Sequence, residues 1–214
     1  MKIDEIINGF KSFHKEYYLD RPEIFQALVK EGQKPEIMVI ACSDSRVNPS
    51  IIANAEPGDM FVVRNVANLV PPYDLNTNCF GTSACIEYGV KDLRVGHIMV
   101  LGHSHCGGIK RLCQGIEDAD DREFIDGWLS IAKLALDSNA TGEKQHRMAE
   151  REAIRISLNN LLTFPWIKTK IDQGELELHG WYFDLDSGKT FSKLINDEWL
   201  EISPNDKSKD RSFT

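Results

Sequence analysis

Two short segments carry the side chains best suited to chemistry in this chain. Cys42, Asp44 and Arg46 alternate with serines in the first segment, and His103 and Cys106 stand three residues apart in the second. Thiolates and neutral imidazoles are the ligands that zinc prefers, and three of them leave one tetrahedral position open. The spacing therefore predicts a zinc site made by Cys42, His103 and Cys106, with Asp44 or water in the fourth position.

Asp44 and Arg46 suggest a pair of residues that controls the fourth position of this zinc site. If the chain is extended here, both side chains lie on the same face as Cys42. A guanidinium beside a carboxylate favours the ionised carboxylate and can fix its orientation. We interpret Arg46 as holding Asp44 away from the metal, so that water binds and donates a hydrogen bond to Asp44. The alternative is an ordinary surface ion pair, worth under about 1 kcal/mol.

Short apolar runs precede both segments and should position them. Residues 37–41, 60–63 and 97–101 are rich in β-branched side chains and have Gly or Pro near their starts, which is typical of buried parallel strands. A helical pattern over residues 82–93 connects the second and third runs as a right-handed α/β unit. Ligand sites in such sheets lie beyond the carboxyl ends of the strands, where both segments begin.

The flanking regions also show clear patterns. Residues 2–32 predict two helices, the second capped by Asp20 with a proline in its first turn. Residues 147–162 predict a long helix, and residues 176–184 and 189–195 predict a hairpin.

These elements predict an α/β fold whose mostly parallel central β-sheet is flanked by helices. We divide the chain into an N-terminal helical arm (1–34), a zinc-binding α/β domain (35–202) and a polar tail (203–214), which we expect to be disordered. The acidic stretch 117–122 predicts a solvated loop or the start of a helix.

Composition excludes several functional classes. The 214 residues include 25 basic and 33 acidic side chains, a formal charge of −8 that argues against a nucleic-acid surface. No apolar run approaches the ~18–20 residues of a membrane span, and the N-terminus does not resemble a signal peptide. Five cysteines without a secretory signal argue against a disulfide framework. We therefore expect a cytoplasmic protein with reduced thiols and no nucleic-acid or membrane partner.

At the two segments the sequence resembles the β-class carbonic anhydrases, most closely the plant-type branch. The family signatures C-x-D-x-R and H-x-x-C appear as residues 42–46 and 103–106, and the resemblance covers roughly residues 20–200. It implies one Zn²⁺ per chain on Cys42, His103 and Cys106, with Asp44 and Arg46 as the catalytic pair. Asp44 would be a fourth zinc ligand only in an inactive state.

The resemblance also implies a substrate, a pocket and partners. The implied reaction is the reversible hydration of carbon dioxide to bicarbonate and a proton. Gln33, Phe61, Val66, Tyr88 and Gly107 match substrate-side positions of the family, with Gln33 donating a hydrogen bond to a substrate oxygen. The family further implies a homodimer or higher homo-oligomer, with active sites at subunit interfaces and N-terminal helices that embrace the partner.

Two other functions stay open. A hydrolase of a related small molecule such as carbon disulfide could use the same scaffold, and access to the pocket would decide between the two. A non-catalytic protein with a structural zinc is disfavoured by the Asp44–Arg46 pair. His105, inside the second motif, is interpreted as a loop histidine without a role in proton transfer.

Overall fold

A six-stranded sheet forms the centre of the computed structural model, which describes residues 1–75, 80–115, 122–137, 139–193 and 198–203. In chain order its strands are β1 (Ile37–Cys42), β2 (Met60–Asn65), β3 (His97–His103), β4 (Glu177–Phe183), β5 (Thr190–Lys193) and β6 (Trp199–Glu201). Their spatial order is β2-β1-β3-β4-β5-β6. The first four are parallel, and β5 and β6 extend the sheet antiparallel to their neighbours. The predicted mostly parallel sheet is thus confirmed.

Helices flank this sheet and form the N-terminal arm. In the described residues they are α1 (Ile3–His14), α2 (Pro22–Glu31), α3 (Pro49–Ile52), α4 (Phe80–Glu87), α5 (Gly107–Gln114), α6 (Ile125–Leu129), α7 (Gly142–Leu161) and α8 (Pro165–Asp172). Wider π-helical turns occupy Lys15–Asp20 and Tyr88–Asp92, and tighter 3₁₀ turns occupy Val66–Asn68 and Ser130–Ala135.

Alternation along the strands divides the core between the two faces of the sheet. Met38 and Ile40 of β1 point into the larger core, which includes apolar residues of α4 and α7. Val39 and Ala41 point to the opposite face, where they pack with Leu101 of β3. Burial on both faces explains why these strands are nearly continuous apolar runs in the sequence.

Two glycines let α7 pack closely against the sheet. A Cβ on Gly102 of β3 would lie 2.6 Å from Cδ1 of Ile154, and one on Gly180 of β4 would lie 2.8 Å from Cδ1 of Leu158. Both distances are too short for real side-chain contacts. The absence of side chains at these positions therefore sets the distance between α7 and the strands that end at the candidate site.

Several predicted boundaries differ from the structure. Asp20 does not cap α2, because residues 15–20 continue as a helical turn and Arg21 takes the cap position without a side-chain hydrogen bond. The helix predicted over 82–93 begins earlier and ends as a π-helical turn, and the helix predicted over 147–162 begins at Gly142. Residues 117–121 and 204–214 lie outside the described residues, so the predictions of an acidic loop and a disordered tail remain untested.

The N-terminal arm has apolar side chains that the described part of its own chain leaves uncovered. Neither α1 nor α2 contains a buried residue, and Ile3, Ile6 and Phe10 of α1 are all more than half exposed. The arm is joined to the rest of the chain by Arg21, whose guanidinium donates two 3.1 Å hydrogen bonds to Glu56. Within the described residues, no helix combines the length and apolar character that crossing a membrane requires.

Candidate metal centre and active site

Three of the predicted ligands meet where two neighbouring strands end. Cys42 is the last residue of β1, His103 is the last residue of β3, and Cys106 caps the N-terminus of α5. All three side chains are buried, and their sulfur and nitrogen ligand atoms lie within 4.8 Å of one another. The parallel pairing of β1 with β3 therefore produces the convergence that the sequence predicts.

The donor atoms fit a tetrahedral zinc ion. The Cys42 and Cys106 sulfurs are 3.9 Å apart, and a tetrahedral ion bound at about 2.3 Å from each sulfur would hold them about 3.8 Å apart. Nδ1 of His103 donates to the Ser104 carbonyl at 2.8 Å, which leaves Nε2 as the unprotonated nitrogen. That buried Nε2 has no hydrogen-bond partner in the described part of the chain. Its lone pair is therefore available to a metal ion.

The electrostatics of the two thiols also favour a cation. The hydrogen bond from the Cys106 thiol lowers the pKa of Cys42, and the same contact, together with burial, raises the pKa of Cys106. The backbone amides of Gly108 and Ile109 at the start of α5 oppose this rise in the pKa of Cys106. Thiols alone thus favour one thiolate at a time, whereas a divalent ion between the sulfurs would stabilise both.

Glu150 fixes the backbone of Cys106 and was not among the predicted site residues. This carboxylate of α7 is 3% exposed and accepts a 3.1 Å hydrogen bond from the Cys106 amide. It also accepts hydrogen bonds from Arg147 at 2.9 Å and from the Tyr182 hydroxyl at 2.8 Å. The sequence does hold a signal for Glu150. It is a charged residue four positions before Ile154, on an apolar face of the predicted helix.

Asp44 and Arg46 form the predicted pair, although the backbone between them is not extended. The chain turns here, because the Arg46 amide donates to Oδ1 of Asp44 at 2.9 Å. The guanidinium then binds both carboxylate oxygens, with Nε 2.9 Å from Oδ1 and a terminal nitrogen 2.7 Å from Oδ2. These hydrogen bonds hold the pKa of Asp44 well below its usual range. Asp44 is therefore ionised, with both oxygens held by Arg46.

Arg64 holds the backbone of the same loop. Its Nε donates to the Cys42 carbonyl at 2.9 Å, and one terminal nitrogen donates to the carbonyls of Asp44 and Val47 at 2.7 Å each. Arg64 lies near the end of β2, one residue before the position paired with Cys42. An arginine directly after an apolar strand pattern is the sequence signal for this role.

The side chain of His105 links α7 to the loop that follows β4 through two hydrogen bonds. Its Nδ1 accepts from a terminal nitrogen of Arg147 at 2.7 Å, because arginine can only donate, and its Nε2 donates to Asp186 at 2.7 Å. Its carbonyl accepts a 2.9 Å hydrogen bond from Arg46. Both ring nitrogens are thus engaged, which supports the interpretation of His105 as a structural loop histidine.

Two of the predicted pocket residues lie beside Cys42, His103 and Cys106, which we call the metal group. Gly107 follows Cys106 as the first residue of α5. Val66 follows β2, and its Cγ1 would be 2.8 Å from a Cβ placed on Gly108. The indole nitrogen of Trp128 donates to the Val66 carbonyl at 2.7 Å, which fixes this edge of the site.

The other three predicted pocket residues lie away from the metal group of the same chain. Phe61 pairs with Met38 near the start of the strands, four positions or about 13 Å from the level of Cys42. The Phe61 and Tyr88 rings contact each other, with centroids 5.9 Å apart, and Tyr88 is 45% exposed. Gln33 is exposed in the connection that follows α2. A single chain therefore does not bring them to its own metal ligands.

Comparisons with known proteins agree on one family. A family model described as carbonic anhydrase matches residues 37–190. The chain is 41% identical over 187 residues to β-carbonic anhydrase 5, chloroplastic, of Arabidopsis thaliana, covering 85% of this chain and 61% of that protein. It is 38% identical over 195 residues to β-carbonic anhydrase 3 of the same plant, covering 87% of this chain and 74% of that protein. The chain thus spans less than two thirds of the first of these relatives.

Solved structures show the same likeness. The β-carbonic anhydrase CcaA superposes with a TM-score of 0.86 and 32% identity, covering 95% of this chain and 93% of that one. One of two tetrameric β-carbonic anhydrases from Sordaria macrospora superposes with a TM-score of 0.76 and 31% identity, covering 89% and 95% of the two chains.

Proposed function

The chain belongs to the β-class of the carbonic anhydrase family, and we propose that it catalyses the zinc-dependent, reversible hydration of carbon dioxide to bicarbonate and a proton. The observation that carries this proposal is the convergence of Cys42, His103 and Cys106 beside a carboxylate already held by Arg46. Bound zinc would supply hydroxide near neutral pH, because it lowers the pKa of its water.

The residues around the ligands would prepare the site for an apolar substrate. Two thiolates and a neutral imidazole would balance the charge of a divalent ion, so the ion and its three protein ligands together would carry no net charge. Asp44 stays ionised and can accept a hydrogen bond from the attacking oxygen, which orients it. Arg46 fixes Asp44 in that role, and its own position is fixed by the His105 carbonyl.

A direct assay tests the proposed reaction. We expect the zinc-loaded protein to hydrate carbon dioxide in a stopped-flow experiment with a pH indicator. Removal of zinc by a chelator should abolish this activity, and addition of one equivalent of zinc should restore it. If the zinc-loaded protein consumed carbon disulfide but did not hydrate carbon dioxide, the alternative hydrolase would be the correct assignment. If it consumed neither substrate, zinc would have only a structural role.

We also propose that Gln33, Phe61 and Tyr88 complete the active site of a partner subunit in a homo-oligomer. An apolar substrate needs an apolar wall, and the Phe61–Tyr88 pair at the start of β2 supplies one, in which Phe61 is half-buried and Tyr88 is exposed. The uncovered apolar side chains of α1 also favour a partner, since burying them would stabilise an interface. The tetramers of Sordaria macrospora are in keeping with this arrangement.

Mixed oligomers distinguish a shared site from one made within a single chain. The Asp44→Asn variant should inactivate its own site, and the Gln33→Ala/Tyr88→Ala variant should inactivate the site of its partner. A heterodimer of the two would then keep one intact site and recover up to about half of the wild-type activity. Size-exclusion chromatography with light scattering would verify the assembly. Heterodimers that form but stay inactive would show that the pocket is made within one chain.

A further inference from the structure

Three potential metal ligands lie together where β3 and β4 begin, at the end of the sheet opposite to the metal group. His97 begins β3 and pairs in register with Glu177, which begins β4. His179 is two residues beyond Glu177, so all three side chains are on one face of the sheet. His103 lies six residues further along β3, at a distance of about 20 Å. The cluster is therefore separate from the proposed catalytic centre.

The distances within the cluster suit a single ion. Nδ1 of His97 is 3.1 Å from Nε2 of His179. Oε2 of Glu177 is 3.9 Å from the first nitrogen and 3.8 Å from the second. A triangle with these three sides has a centre about 2.1 Å from each corner, which is the distance of nitrogen and carboxylate ligands from zinc. An ion can thus bind all three atoms with little movement of the side chains.

The surroundings of the cluster fix the backbone and leave the side chains accessible. The His97 amide donates to the Glu36 carbonyl at 3.1 Å, and the Glu177 amide donates to the Gly96 carbonyl at 2.9 Å. The side chains of His97 and Glu177 are 43% and 53% exposed, and that of His179 is 16% exposed. The two strand ends are therefore held in register while the ligand atoms can be reached from solvent.

We propose that His97, Glu177 and His179 form a second metal site, which binds a divalent first-row transition-metal ion. Two imidazole nitrogens and one carboxylate oxygen are a donor set that suits Zn²⁺, Ni²⁺ and Cu²⁺. Neutral imidazoles bind the ion through their lone pairs, so the proton that lies between the two nitrogens in their 3.1 Å contact must move to the other nitrogen of its ring when the ion binds. The ion links β3 to β4, and it stabilises the folded chain because unfolding would separate its ligands.

Nickel is a suitable probe because zinc at the thiolate site and nickel at the second site can be counted separately. Untagged protein loaded with only one equivalent of zinc per chain should bind one Ni²⁺ per chain in equilibrium dialysis, with its zinc content unchanged. The His97→Gln and His179→Gln variants should each bind Ni²⁺ at least about 100-fold more weakly, since loss of a ligand costs at least as much as loss of a group that orients one. Glu177→Gln should weaken binding by a smaller factor.

A matched control and a second measurement complete the test. His14→Gln removes a histidine outside the cluster and should bind Ni²⁺ like the wild type. Thermal unfolding adds an independent readout, because Ni²⁺ should raise the Tm of the wild type and of His14→Gln but not of His97→Gln. Failure of the wild type to bind Ni²⁺ at millimolar concentration would overturn the proposal. Undiminished binding by both histidine variants of the cluster would overturn it as well.

Discussion

An Arg46→Ala protein should keep its zinc and its fold but lose at least about 100-fold in kcat for carbon dioxide hydration, as when a preorganised donor is removed. Both oxygens of Asp44 accept hydrogen bonds from the guanidinium of Arg46, and in the alanine variant only the backbone amide of residue 46 would still hold Oδ1. Without the guanidinium the carboxylate is free to compete with water for the fourth metal position. Stability should change little, because the Arg46 side chain is half exposed and surface ion pairs contribute under about 1 kcal/mol.

Stopped-flow kinetics, zinc analysis and thermal unfolding of the same Arg46→Ala preparation would check this result. Arg155→Ala is the matched control, since it removes an arginine that is paired with Glu152 on α7, away from the ligands. It should retain wild-type turnover. The turnover of Arg46→Lys should lie between those of Arg46→Ala and Arg155→Ala, because lysine keeps the charge but cannot bind the carboxylate through two nitrogens. Full turnover by Arg46→Ala would reduce the Asp44–Arg46 contact to an ordinary surface ion pair.

Loss of a metal ligand should have the larger effect. We expect Cys106→Ser to lower zinc affinity by at least about 100-fold and to abolish activity, because the buried sulfur is one of the three proposed ligand atoms. Thermal stability should fall as well, since zinc bound only to the folded chain no longer stabilises it. Zinc content after dialysis, the Tm and the hydration rate would each report this change.

Cys113→Ser provides the matched control for this ligand. Cys113 lies on the same helix, α5, and has a free thiol that is partly buried but does not belong to the metal group. Its serine variant should keep one zinc per chain and wild-type turnover. A Cys106→Ser protein that kept wild-type zinc affinity and wild-type turnover would show that Cys106 is not a ligand.

The strands and the convergence of Cys42, His103 and Cys106 could be predicted because their signals are local. Burial on both faces makes β1 and β3 apolar runs, and the motifs follow directly where these strands end. The strands nevertheless extend one or two residues beyond the predicted limits, up to Cys42 and His103 themselves. Backbone hydrogen bonds with the neighbouring strand continue through these last residues. A pattern of apolar side chains cannot predict such backbone hydrogen bonds.

Contacts between distant residues account for most of what the sequence did not reveal. Glu150 reaches Cys106 across 44 positions, and Arg64 reaches the carbonyl of Cys42 across 22. The turn at Asp44 is local, but period-two spacing cannot distinguish it from a strand. The side-chain oxygen of Asp44 captures the Arg46 amide in this turn, which bends the chain.

Because α7 packs closely against the sheet, this helix both contributes to the core and positions Cys106. Ile154 rests on Gly102, the residue before the ligand His103, and one turn earlier the same helix presents Glu150 to the amide of Cys106. Any substitution that lifts the helix away from the strands would also shift the anchor of a sulfur ligand. Thermal tolerance and turnover should therefore change together across variants of the buried face of this helix, and cannot be engineered on that face as independent properties.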